Sequence, residues 1–356
     1  MLFRESFFIT GFPGFIAGRL VERLAGPESQ FFLLVQPQLV ERAMAEAEEI
    51  AAITAVPLEN FVLVEGDISQ PNLAIPDADL ETIQAETTDI FHLAAVYDLA
   101  VPKSIAFDVN LQGTKHVNDL ACSIKGLRRY NYVSTCYVAG KREGEILETD
   151  LEHKAGFRNF YEETKYLAER EVEELKRSLP ITIYRPSVVV GDSQTGETAK
   201  YDGIYYLIQY LRKAPALLRL VNVGNDKVRL NLVPVDFVVD AIVALSRDPK
   251  AKGKTVALAD PRPFTTAELF DVIAMDLTGR RSEFHPSARM TEWFLNTRIS
   301  PVLTGLPHVG VPYFFISQTY DTSLADDLLA GHHIVCPRFD GYVGNLLDFV
   351  EEFPKL

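Results

Sequence analysis

Two short patterns in this 356-residue chain carry residue types that could do chemistry. The first is Thr10-Gly11-Phe12-Pro13-Gly14-Phe15-Ile16-Ala17. It falls between an apolar run, Ser6–Thr10, and a segment whose apolar residues recur at helical spacing, Ile16, Leu20 and Leu24. Gly11 permits a tight strand-to-helix turn, and Gly14 lets the backbone approach a pyrophosphate. Ala17 stands where a third small residue allows helix and strand to pack closely. The helix N-terminus offers unpaired N–H groups and a positive dipole end to phosphate oxygens. Gly-rich turns are common, but this one has a strand before it and a helix after it. Its residues Gly11, Phe12, Pro13, Gly14, Phe15 and Ile16 are therefore expected to face a dinucleotide. The second pattern is Tyr161-Glu-Glu-Thr-Lys165, which sets a phenol and an ammonium on one helix face. Thr135 precedes Tyr161 by 26 residues, at the end of the strand-like run Tyr132-Val-Ser134-Thr135. Its hydroxyl, or that of Ser134 one register away, emerges at the carboxyl edge of a sheet, where open α/β folds bind ligands.

The elements that must position these residues alternate. Strands are expected at Ser6–Thr10, Gln30–Val35, Phe61–Glu65, Asp89–Leu93, Arg129–Val133 and Pro180–Tyr184. Helices are expected at Phe15–Leu24, through an Ala/Glu-rich stretch to Ile53, at Asn110–Ser123 and at Tyr161–Ser178. Short apolar strands alternating with helices predict an α/β fold, a Rossmann-type doubly wound parallel sheet. After Gly191 the rhythm changes. Residues 1–191 read as a dinucleotide-binding domain, with about 230–250 contributing to the same core, and residues 192–356 as a smaller C-terminal substrate lobe. Thr265-Thr-Ala-Glu268 reads as a capping box.

Composition sets the outer limits. Hydrophobic residues make up 47% and charged residues 24%, which excludes a disordered chain. With 35 Lys+Arg against 49 Asp+Glu the net charge is −14, and the pI of 5.0 argues against nucleic acid as a partner. Cys122, Cys136 and Cys336 are too few and scattered for a disulfide framework or zinc site, so buried thiols are expected. No apolar stretch reaches the ~20 residues of a membrane span. The first strand starts too early to leave room for a signal peptide, so a cytoplasmic location is expected.

The ordered set of motifs resembles the extended short-chain dehydrogenase/reductases. Within them it is most similar to the branch of fatty acyl reductases ("male sterility" proteins) and thioester reductase domains. The residues carrying the resemblance are Thr10–Ala17, Gly66-Asp67, His92-Leu-Ala-Ala95, Asn110, Val133-Ser-Thr135, Tyr161 with Lys165, and Tyr184-Arg-Pro-Ser-Val-Val-Val-Gly-Asp192. Arg185-Pro-Ser, Val190–Gly196 and Val233–Asp240 point to the acyl-reductase branch. The resemblance spans about residues 5–245 and weakens beyond.

The resemblance implies roles. Tyr161 would be the general acid toward a carbonyl oxygen. Lys165 would hold the nicotinamide ribose and lower the Tyr161 pKa. Thr135 would bind the carbonyl oxygen, and Asn110 would organise a relay to Lys165. Asp67 and Ile68 would meet the adenine, and Ala94 and Ala95 would leave room for the adenosine. Pro186 and Val189 would line the nicotinamide. The cofactor would be NADP(H) or NAD(H). The branch commonly carries an Arg just after the second strand, whereas this chain has Gln36, so that choice stays open. Arg19 and Arg42 are the nearby cations.

Gly203–Leu220, Trp293-Phe-Leu and Tyr313–Ile316 are rich in apolar and aromatic residues. They read as core or as an apolar channel for a small-molecule carbonyl or acyl substrate. The pairs His332/His333 and His92/His285 have no third ligand at metal spacing and read as structural or solvated. The expected function is NAD(P)H-dependent reduction of an aldehyde, ketone or acyl thioester. The alternatives are a nucleotide-sugar epimerase or dehydratase of the same superfamily, which would need a basic diphosphate site, and a non-enzymatic dinucleotide sensor. The net charge disfavours delivery by an acidic carrier protein. A homodimer through Asn110–Ser123 and Tyr161–Ser178 is a further expectation.

Overall fold

The computed structural model describes residues 3–213, 221–286, 313 and 316–355. Its first strand, β1 (Glu5–Thr10), buries Phe7, Phe8 and Ile9 in succession, as a strand covered on both faces must. A Gly-rich turn leads to α1 (Phe15–Leu24), which buries Ala17, Leu20, Val21 and Leu24 on one stripe. There follow β2 (Ser29–Val35), α2 (Val40–Thr54), β3 (Phe61–Glu65), α3 (Asp77–Glu86) and β4 (Asp89–His92). A continuous helical run comes next: α4 (Lys103–Ala106), a π-helical stretch (Phe107–Gln112) and α5 (Gly113–Ser123). Then come β5 (Arg129–Val133), β6 (Gly144–Ile146), α6 (Phe160–Leu175), β7 (Ile181–Pro186) and β8 (Val188–Val190).

The rest of the chain contributes α7 (Ile204–Lys213), β9 (Leu232–Pro234), α8 (Val235–Arg247), β10 (Thr255–Leu258), α9 (Thr266–Thr278), β11 (Gln318–Tyr320), α10 (Ser323–Ala330) and α11 (Val343–Glu352). Thr265 and Glu268 cap α9 reciprocally, as expected from their spacing. Trp293 and residues 214–220, 287–312 and 314–315 lie outside the described residues. The described part of the aromatic stretch forms α7, which buries Ile204, Tyr205, Ile208 and Leu211 against α9 and α11.

The main sheet has seven strands in the order β3-β2-β1-β4-β5-β7-β10, all parallel. The direction of strand addition reverses between β1 and β4. One face, with Phe7, Ile9, Phe31 and Leu33, packs under α1, α2 and α8. The other, with Phe8, Phe32, Ile90 and Tyr130, packs under α5 and α6. Each such buried aromatic stabilises the fold by about 1.5–3 kcal/mol.

The last strand, β10, comes from beyond residue 250 and pairs with β7 through Thr255↔Ile183 to Leu258↔Pro186. Helix α8 lies against α1, where Arg23 and Asp240 pair at 2.6 Å. Two short parallel pairs, β8 with β9 and β6 with β11, join the sheet's carboxyl edge to the lobe. Three details differ from expectation. The helix expected from Asn110 begins at Lys103 and carries a π stretch, the sixth main-sheet strand runs on to Pro186, and Cys122 is exposed while Cys136 is buried. Among the described residues no helix is long and apolar enough to cross a membrane.

Glu148 ties these parts together. Its carboxylate accepts the backbone N–H of Ala257 in β10 at 2.8 Å and those of Leu324 and Ala325 in α10 at 2.7 and 3.2 Å. Burial outweighs these bonds and pushes the carboxyl up to about 7. Between the ordinary value of 4.5 and about 7, the folded chain then holds a proton that the unfolded chain has lost. This contribution to stability therefore falls as pH rises through that window. Urea unfolding at stepped pH should show wild type gaining most over Glu148→Gln at the acid end and losing that advantage by neutrality.

Candidate active site

Because the main sheet is all parallel, every strand's carboxyl end lies on one edge. The residues singled out in sequence sit after β1, β2, β3, β4, β5 and β7, or on the helices that follow. At the end of β1, Gly11 has φ +95°, and a Cβ there would lie 2.9 Å from Ala94 N and 3.1 Å from Leu93 C. A Cβ on Gly14 would lie 2.5 Å from Gly11 O. Gly14 is the N-cap of α1 and puts no side chain over the helix end. Phe12 and Pro13 turn into the core, while Phe15 and Ile16 are half-buried, so the turn presents backbone.

Gln36 is exposed directly after β2, and its Oε1 accepts from Gln38 Nε2 at 2.9 Å. Arg19 lies over the Phe15 ring and pairs with Glu197 at 2.8 Å. After β3, Asp67 Oδ1 accepts the Ser69 N–H at 2.8 Å. The Ile68 side chain packs into the core against Gly113. Ala94 and Ala95 are half-buried after β4, and Ala94 N donates to Thr10 Oγ1 at 3.2 Å. Pro186 closes β7, and Val189 is half-buried in β8. Between them the buried Ser187 Oγ has no hydrogen-bond partner among the described residues. The turn that only glycines leave open, at the N-terminus of α1, fits a bound dinucleotide.

At the catalytic end, Asn159 caps α6 by accepting the Glu162 N–H at 3.0 Å. This fixes the first helical turn, which carries a half-buried Tyr161. The register question between the two hydroxyls has an answer. Ser134 Oγ donates to Glu169, whose carboxylate pairs with Arg185 at 2.6 Å inside the fold. Thr135 Oγ1 accepts the Tyr137 N–H at 3.2 Å and lies beside the Tyr161 phenol. Burial pushes that phenol up to about 12, with the neighbouring Thr135 hydroxyl acting against it. Lys165 is 3% exposed, and its Nζ donates to Tyr132 OH at 3.1 Å and Val133 O at 2.9 Å. Burial lowers its pKa to about 8, against the charge of Glu169.

Two expectations need correction. Lys165 was expected to lower the Tyr161 pKa, but burial dominates and the Lys165 bonds run to Tyr132 and Val133. Asn110 was expected to serve a relay to Lys165. Its Oδ1 instead accepts the Val96 N–H at 2.8 Å, and its Nδ2 donates to Val96 O and to Thr164 Oγ1, both at 3.0 Å. It braces the loop after β4 from a π turn, a deviation frequent at functional sites.

The family model described as male sterility protein, an NAD-binding family, matches residues 9–242. The chain belongs to that family. It is 26% identical over 280 residues to a fatty acyl-CoA reductase of Drosophila melanogaster, covering 68% of this chain and 54% of that protein. It thus spans about half the length of that relative. Its fold superimposes on the terminal R domain of the myxalamid PKS-NRPS biosynthetic pathway with TM-score 0.82 and 22% identity, over 99% of this chain and 92% of that one. The UDP-glucuronic acid 4-epimerase of Bacillus cereus, in complex with NAD, shares the fold at TM-score 0.68 and 16% identity, over 98% of this chain and 100% of that one.

This male sterility family member also has site residues that sequence reasoning did not assign. Tyr137, Arg229 and Tyr320 line a cavity beside Thr135 and Pro186, together with Ser187 and with Tyr313 and Ile316 from the stretch read as core or channel. Tyr313 donates to the fully buried Glu162 at 2.7 Å, so the lobe is bonded to the residue next to Tyr161. The wall is aromatic and partly polar, unlike the apolar channel expected. His92, Thr114 and Tyr132 form a buried polar line behind Lys165. The signal in sequence was a histidine at the end of the strand Asp89-Ile90-Phe91-His92. Among the described residues no cluster could hold a metal ion.

Gly14→Ala should weaken NADH and NADPH binding by at least about 10-fold in a fluorescence titration, a loss of ~1.4 kcal/mol. The folded state should persist by circular dichroism.

Proposed function

We propose that this protein reduces a carbonyl group, either an aldehyde or ketone or the acyl thioester of an apolar acid, using NADH or NADPH. The observation that carries the reading is the convergence of the Thr135 hydroxyl on the Tyr161 phenol at the carboxyl edge, with Lys165 one helical turn on. The similarity to a fatty acyl-CoA reductase supports the thioester branch of it.

When bound, the reduced cofactor supplies a hydride to the carbonyl carbon. The chain's own residues handle the oxygen. The Thr135 hydroxyl orients it by a hydrogen bond. Tyr161 gives it a proton, and a phenol held at about 12 carries that proton throughout the neutral range. The Lys165 ammonium, one helical turn on, would hold the ribose of the bound cofactor. An aldehyde or ketone becomes the alcohol. A thioester becomes a hemithioacetal that expels the thiol and leaves the aldehyde. Asn110 holds the loop after β4 in place, and the Tyr137–Tyr313 wall receives the rest of the substrate.

The test is oxidation of NADH and NADPH against acyl-CoAs, long-chain and aromatic aldehydes, and ketones, with a UDP-sugar epimerisation assay beside it. Reduction of at least one carbonyl class is expected, and Tyr161→Phe should lower kcat by about 10²–10⁴-fold. NAD(P)H affinity should stay unchanged in that variant. A protein that purifies with NAD bound and epimerises a UDP-sugar would overturn the proposal.

A further inference from the structure

We infer that Tyr132 is a positioning residue for Lys165, holding the ammonium from behind through its hydroxyl and its ring face; the inference rests on the reduction proposed above. The Lys165 Nζ lies 3.1 Å from Tyr132 OH and 4.6 Å from the centre of the Tyr132 ring. Both contacts favour a cation.

Donor and acceptor accounting shows that this arrangement has one direction. Thr114 Oγ1 donates its single proton to Asn110 O at 2.7 Å. Toward its other partner, His92 Nε2 at 3.1 Å, it can therefore only accept. This assigns the His92 proton to Nε2 and makes Nδ1 an acceptor for Thr10 Oγ1 at 2.7 Å. Thr10 Oγ1 in turn accepts the Ala94 N–H. Burial takes His92 down to about 3, so the ring is neutral and adds no competing charge. An ammonium has donors and no acceptor, so the Tyr132 oxygen can only accept from Lys165. Lys165 spends two N–H groups on Tyr132 and Val133, and the third is left for the reacting edge.

Lys165 bonds to Tyr132, the Tyr132 ring lies 5.6 Å from the His92 ring between centroids, and His92 bonds to Thr10. Thr10 precedes Gly11 and accepts the Ala94 N–H. The amine beside the reacting edge and the turn that serves the pyrophosphate are thereby held by one set of contacts. The charged group acting on Lys165 among the described residues is Glu169 of its own helix, which is shared with Arg185. From β5 and β4 it faces only Tyr132 and the neutral His92.

The experiment is NMR of the whole protein labelled with ¹³C at the lysine ε-carbon. The Lys165 resonance is assigned by its loss in Lys165→Met and titrated with pH in the absence of cofactor. Wild type should titrate at about 8. Tyr132→Phe keeps the ring but removes the acceptor, and should lower the midpoint by at least about one pH unit. Thr114→Val should shift it the same way by less. In kinetics, the alkaline limb of kcat should move to lower pH in Tyr132→Phe with the carbonyl KM unchanged. A Lys165 midpoint in Tyr132→Phe equal to wild type overturns the inference, and if that variant does not fold, an unmoved midpoint in Thr114→Val does the same. The titration needs no substrate. If no carbonyl is reduced, the reduction proposal fails while the titration still decides the role of Tyr132.

Discussion

The site depends on two backbones passing in contact at the sheet's carboxyl edge. Gly11 at the end of β1 comes so close to Leu93 and Ala94 after β4 that no side chain fits between them. These strands are neighbours only because the order of addition reverses between them, and that reversal opens the crevice above. The close approach also brings Thr10 within reach of His92 and of the Ala94 amide. A glycine, a strand order and a buried histidine are therefore one constraint. Moving any of them displaces the turn, the loop after β4 and the line of hydroxyls leading to α6.

Behind that edge the fold keeps an unusual amount of charge dry. Lys165, Glu169, Arg185 and Glu162 are all nearly inaccessible. Each is satisfied: Glu169 by Arg185 and Ser134, and Glu162 by Arg158 at 3.2 Å and Tyr313. Such groups are weak contributors to net stability, but removing one partner strands the other and costs about 3–5 kcal/mol. Here they fix direction. Glu169 with Arg185 takes the Ser134 hydroxyl into the fold, and leaves Thr135 as the hydroxyl beside Tyr161 among the described residues.

Much of this was legible in the chain because it is local. Strand periodicity, the Gly11–Gly14 turn, the Tyr161/Lys165 spacing and the Thr265 capping box are each set within a few residues, and each stands where its pattern placed it. What was not legible depends on partners distant in sequence. The choice of Thr135 over Ser134 needs Arg185. The work of Asn110 needs the π turn and the loop at Val96, and the bonds of Lys165 need Tyr132. The strand at 255–258 was missed because four residues carry no period, and only β7 beside them makes them a strand. The aromatic wall at Tyr137 and Tyr313 joins residues 176 apart. No local pattern could have announced it.

The seventh strand has a consequence for how the chain is made. β10 covers the outer edge of β7, and it leaves the ribosome some 70 residues after β7 has been synthesised. Through that interval β7, with Ile181, Ile183 and Tyr184 destined for the core, presents unpaired backbone along one side. A fragment cut after the sixth main-sheet strand would keep every residue of the Tyr161–Lys165 helix and of the glycine turn. It would also keep that open side permanently, an invitation to pair with another copy of itself.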